Sequence, residues 1–124
     1  MGYRSDVGLA LDRSAVMSLH QKLNALDKNS EAFSVIRDFI SDASKHYEDS
    51  DTGAEVYFWE YVKWYDDFSE VDFIEKLMLY LADESYLFIR IGEDIDDLEI
   101  RGSFYGNPFE FGLMRSITLE DPSV

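Results

Sequence analysis

The chain has 124 residues, with 26 Asp plus Glu against 11 Lys plus Arg, two His and no Cys, for a formal net charge of -15 at pH 7. That length implies one domain spanning residues 1–124, and 46% hydrophobic residues with nine Phe, eight Tyr and two Trp supply a core and exclude acidic disorder. Without Cys there are no disulfides, thiolate nucleophiles, iron–sulfur clusters or common structural zinc sites, and the charge argues against direct binding of nucleic acid or anionic membranes and in favour of basic surfaces.

Residues 3–11 alternate, with Tyr3, Ser5, Val7, Leu9 and Leu11 on one face, which predicts a half-buried strand. Ser14 then offers an N-cap hydroxyl, and Val16, Leu19, Leu23 and Leu26 fall at helical spacing. A polar turn at residues 27–30 brings a second cap before Ala32, Ile36, Phe39, Ile40 and Ala43 form another stripe. Two helices, or one broken near Asn29, therefore follow the strand.

Residues 45–53 are polar and acidic and read as a surface loop. Next comes an aromatic strand in which alternation places Val56, Phe58, Val62 and Trp64 on one face and Tyr57, Trp59, Tyr61 and Tyr65 on the other. Aromatics on both faces fit either a central strand covered on both sides or a strand whose outer face binds a partner. Ser69 and Asp72 form a capping arrangement for a third helix with Val71, Ile74, Leu77, Met78 and Leu81 as its stripe, ending near Asp83 and Glu84. Residues 86–91 and 98–105 then read as a hairpin joined by an acidic link. A turn at residues 106–108 precedes a weak last strand over residues 113–119.

This order predicts an α+β domain, with a mainly antiparallel sheet of four to five strands and about three helices on one face. The other face is expected to carry many of the aromatics.

No nucleophile with a base, metal cluster or phosphate loop stands out, so no catalytic residue, cofactor or metal is assigned. His20 lacks a His or carboxylate at i+4, and His46 sits among Glu48, Asp49 and Asp51 in a solvated stretch. The run from Asp49 to Gly53 fails the calcium-loop spacing, since Gly53 falls at position five and Glu60 at twelve, inside the expected strand.

The densest negative cluster is Glu93, Asp94, Asp96, Asp97 and Glu99, to which Asp66 and Asp67 add. Such a cluster is either a solvated hairpin loop or a set of anions presented to an Arg/Lys-lined groove as phosphates would be. Tyr57, Trp59 and Tyr61 are the candidate aromatic anchors if the strand's outer face is a binding surface. A small-molecule site using the aromatic strand and Glu60, with Arg90 or Arg101 orienting an anion, is the enzyme-like alternative.

Three segments, Gly2 to Val7, Val62 to Asp66 and Ile89 to Asp94, together resemble a group of small acidic phage and prophage proteins, mostly without assigned function. The resemblance implies an accessory protein acting inside a bacterium, similar to anti-CRISPR or anti-restriction inhibitors that occupy nucleic-acid-binding surfaces. The expectation is a non-enzymatic inhibitor in the bacterial cytoplasm, as a monomer or homodimer, bound to the basic surface of a nucleic-acid-handling complex and not to membranes. An immunity protein against a nuclease toxin would use the same physics. The first residues lack a secretory-signal pattern, and no stretch approaches the roughly 18 apolar residues of a membrane span.

Overall fold

A computed structural model describes residues 2–112. In chain order it contains β1 (Ser5–Leu11), α1 (Arg13–Asn24), α2 (Glu31–Ser41), β2 (Lys45–Glu48), β3 (Glu55–Val62), α3 (Ser69–Tyr80), a 3-10 turn (Asp83–Ser85), β4 (Tyr86–Gly92) and β5 (Leu98–Gly102). The five strands form one antiparallel sheet in the order β2-β3-β1-β4-β5. Because β3 and β4 both run antiparallel to β1 and flank it, the α3 connection crosses from one side of β1 to the other. The fold is α+β, as the sequence predicts.

β1 lies at the sheet centre and is buried on both faces. Val7, Leu9 and Leu11 join Tyr57, Trp59, Tyr86 and Phe88 in the main core, where Ala15, Val16 and Leu19 of α1, Ile36 of α2 and Phe73, Ile74, Leu77 and Met78 of α3 pack onto them. All three helices thus contribute to one face. The opposite face is a smaller layer of Ala10, Val56, Leu87 and Ile89 beneath Phe104, Phe109 and Phe111. Asn107, only 6% exposed, folds that covering segment: its side-chain amide donates to the Phe104 and Phe111 carbonyls, and its Oδ1 accepts from the Phe109 and Phe111 amides. Gly8 makes room for it, since a Cβ there would lie 2.5 Å from two ring carbons of Phe111.

Several local expectations change. Asp12, not Ser14, caps α1 by accepting from the Ala15 amide, and it also accepts from the Ser14 hydroxyl. Ser30 caps α2 as anticipated, so the chain forms two helices rather than one broken helix. α3 starts after Phe68 with no side-chain cap, and it ends at Tyr80, short of the acidic pair at 83–84. Residues 45–48, expected in a loop, form the edge strand β2. Its four residues are all exposed, so no alternation betrays it, and only pairing with β3 defines it. The Asp49 to Gly53 run is the hairpin turn that joins them: Asp49 accepts from the Thr52 amide and hydroxyl, and Gly53 takes a φ of 78°.

The largest correction concerns β3. Ser5 pairs with Val62 while Val7 pairs with Trp59, so β3 spends one extra residue against β1. Tyr61 adopts a left-handed φ of 55°, a conformation costing on the order of 1 kcal/mol for a non-glycine residue. Its amide donates to Asp6 Oδ1 at 2.9 Å and the Arg4 guanidinium lies 5.2 Å from its ring centroid, which holds the bulge in place. The bulge reverses the alternation beyond it. Val62 and Trp64 therefore join Tyr57 and Trp59 on the helix side instead of facing away from them. The expected last strand over residues 113–119 lies outside the described residues. Among the described residues, no helix is long and apolar enough to cross a membrane.

Candidate acidic docking site

The residues singled out in the sequence separate into two groups. Tyr57 and Trp59 are 4% and 2% exposed, and Trp59 Nε1 donates to the Phe39 carbonyl at 2.9 Å while its ring stacks on Phe39. Both are core residues, not surface anchors, because the helices cover the face they occupy. Tyr61, 67% exposed beyond the bulge, is the one aromatic candidate left on the surface. Glu60 is exposed, its backbone amide donates to Ser44 Oγ at 3.0 Å, and it does not line the cavity that holds Arg90 and Arg101.

The carboxylates, by contrast, converge on one end of the sheet, and the amino-terminal segment draws them together. Tyr3 donates its amide to the Tyr65 hydroxyl at 2.8 Å and its own hydroxyl to Asp97 Oδ2 at 2.7 Å, while that hydroxyl accepts from the Asp94 amide at 2.9 Å. The Arg4 amide donates to Glu93 at 2.6 Å. One short segment thereby links the turn carrying Asp66 and Asp67 to the loop carrying Glu93 to Asp97. Residues 2–7, 62–66 and 89–94 meet here.

Arg90 sets the electrostatics behind this surface. Its Nη1 and Nη2 donate to the two oxygens of Asp97 at 3.0 and 2.7 Å, its Nε donates to Glu99 at 2.8 Å, and Nη1 also donates to Ser5 Oγ. Such a two-point pairing is geometrically specific and stronger than a neutral hydrogen bond. Donation from Arg90, then from Tyr3, holds the Asp97 carboxyl below its ordinary range. Arg101 does the same work one step along β5: Nη2 donates to Glu75 of α3 at 2.6 Å and lies 3.2 Å from Glu99, with its guanidinium 4.9 Å from the Phe88 ring centroid. Glu75, above all, favours the charged form of Arg101.

The second row of acids is left over. Asp66, Asp67, Glu93, Asp94 and Asp96 are all exposed, and none forms an ion pair with a lysine or arginine among the described residues. Over the inner row opens a cavity of about 570 Å³, walled by Tyr3, Trp64, Tyr65, Asp66, Glu75, Arg90, Asp97, Glu99 and Arg101, with Asp66 the one outer acid in its lining. Four carboxylates against two guanidiniums leave its lining net negative, which disfavours the anion that Arg90 and Arg101 were expected to orient. Trp64 Nε1 and Arg101 Nε are buried without a hydrogen-bond partner among the described residues. Beside the cavity, Tyr61 and Glu93 line a shallower depression with Arg4 and Asp6.

Sequence reasoning picked the acids but missed the residues that gather them: Tyr3, Tyr65 and Glu75. Glu99 and Arg90 are direct cross-strand partners in the β4–β5 ladder, so correct hairpin register would have signalled that pair. The contacts of Tyr3 with Tyr65 and of Arg101 with Glu75 join distant parts of the chain and leave no local mark. No protein-family model matches the chain, and comparison with curated proteins and with solved structures gives no significant match.

Proposed function

We propose that the protein is a non-enzymatic binding module that presents this acidic end to a basic surface of a nucleic-acid-handling protein, acting as an inhibitor in the manner of phage anti-defence proteins. The observation that carries the reading is the two-row arrangement. Arg90 and Arg101 pair with the inner carboxylates Asp97, Glu99 and Glu75, while the outer Asp66, Asp67, Glu93, Asp94 and Asp96 stay exposed and, among the described residues, without a cationic partner.

The outer row supplies long-range attraction and orientation, which in charged complexes governs association rate and specificity. The cavity supplies a place for a partner lysine or arginine: its lining is net negative, and Tyr3, Trp64 and Tyr65 offer aromatic surface to a cation. Tyr61, raised by the bulge beside Glu93, serves as the rim anchor. A groove that binds phosphates has the same requirements, so occupation of it by this face excludes nucleic acid. An immunity protein against a nuclease toxin would differ only in its partner.

The test is charge reversal. Asp66→Lys, Asp94→Lys and Asp96→Lys together are expected to abolish capture of the partner and relieve its inhibition while far-UV circular dichroism stays unchanged. Retained capture by the folded triple variant would remove the acidic face from the interface.

A further inference from the structure

We propose that the β2–β3 edge, on the far side of the sheet from the acidic end, binds one first-row divalent transition-metal ion through His46, Glu48 and Glu55. This site is independent of the docking function above. Antiparallel pairing sets Glu48 opposite Glu55 and His46 opposite Tyr57, and residues two apart on a strand share a face. The four side chains therefore stand together on one face of a two-strand ladder.

The geometry is close to that of a metal centre. One donor atom from each of His46, Glu48 and Glu55 lies within 4.8 Å of the other two. His46 Nε2 is 3.0 Å from Glu55 Oε1 and 3.9 Å from Glu48 Oε2. Donors bound at about 2.0–2.1 Å in a tetrahedral zinc site stand roughly 3.3 Å apart. The His46–Glu55 leg, a hydrogen bond at 3.0 Å, is close to that spacing. Glu48, with its side chain 68% exposed, is free to close the other.

Two features hold the donors in position. The His46 ring stacks on Tyr57 with centroids 4.2 Å apart and planes 9° from parallel. The Tyr57 hydroxyl donates to Glu55 Oε1 at 2.8 Å, and the Glu55 side chain is only 15% exposed. Outer hydrogen bonds of this kind orient ligating carboxylates and strengthen metal binding. Among the described residues neither Glu48 nor Glu55 pairs with a lysine or arginine, in contrast to the carboxylates beside Arg90. Asp49 lies outside this cluster, and its Oδ2 accepts from the Thr52 amide and hydroxyl in the turn.

One imidazole nitrogen with two carboxylate oxygens suits zinc, manganese, iron or cobalt better than calcium or magnesium, which prefer all-oxygen shells. Three protein donors leave the remaining positions to water. A metal here staples the exposed edge strand β2 to β3.

The test is titration of the full chain with zinc in the presence of excess magnesium, followed by calorimetry and thermal unfolding. Expected are one zinc per chain and a raised Tm that a chelator reverses. His46→Ala and Glu55→Gln should each weaken binding by at least about tenfold, and Tyr57→Phe should weaken it by several-fold at unchanged stoichiometry. His20→Ala should bind as the native chain does. NMR of the native chain guards against misfolded variants: the His46 ring resonances should move on titration and those of His20 should not. Absence of saturable binding, unchanged affinity in folded His46→Ala, or zinc shifts confined to His20 would each overturn the assignment.

Discussion

The two edges of the sheet treat carboxylates in opposite ways. At the β4–β5 end, Asp97, Glu99 and Glu75 surround two guanidiniums that stay charged at any working pH and bind them in a continuous ion-pair network. At the β2–β3 end, Glu48 and Glu55 face an imidazole and, among the described residues, no permanent cation. The same residue type thus does different work according to its partner. Arginine turns the inner acids of one edge into a structural knot and leaves an outer row exposed, while histidine leaves the other edge with an imidazole beside two carboxylates.

Removing the floor of the acidic end should have the largest effect. Phe88 is fully buried, packs against Trp64 and lies under Arg101, so Phe88→Ala should cost about 3–5 kcal/mol in chemical denaturation and loosen the network above it. Arg90→Ala comes next. It strands Asp97 and Glu99 beside each other, and partial solvent access reduces the cost to about 2 kcal/mol, below that of a fully buried pair. The equivalent test on the other edge, Glu48→Gln, should change stability by less than about 0.5 kcal/mol in the absence of metal, because that carboxylate is exposed and holds nothing together.

Acid sharpens the contrast further. The Asp97 pKa is depressed in the folded state, so the unfolded chain takes up that proton first as pH falls. The stabilisation is complete above the ordinary value of 3.8 and is lost as pH drops through the lower folded value. Asp97→Asn should therefore flatten the stability curve below about pH 4 in acid unfolding experiments. The smallest expected effect on stability belongs to the outer row, where Asp94→Lys and Asp96→Lys should each stay within about 0.5 kcal/mol of the native chain.

The apolar stripes of α1, α2 and α3, the alternation of β1 and the β4–β5 hairpin were legible because hydrophobic period is written locally in the chain. The β3 alternation failed at one residue: the bulge at Tyr61 is held by Asp6 and Arg4 from β1 and its approach, contacts that no local pattern reveals, and it moves Val62 and Trp64 to the other face. β2 was hidden because an edge strand with both faces wet needs no apolar residue. The acidic members of the docking face were visible as a charge run, yet their division into neutralised and free rows depends on Arg90 and Arg101. The His46 cluster was invisible for a related reason: Glu55 lies beyond the turn, and only strand register brings it opposite Glu48.

The docking claim is tested most directly by retaining bacterial lysate proteins on the native chain and on the Asp66→Lys, Asp94→Lys, Asp96→Lys variant, at low and raised salt, and then assaying the retained protein for nucleic-acid binding. The account predicts a nucleic-acid-binding protein held by the native chain at low salt, released at raised salt, absent from the variant and blocked from its nucleic acid while bound. A partner retained equally by both chains, or one that binds nucleic acid unhindered in the complex, would contradict it.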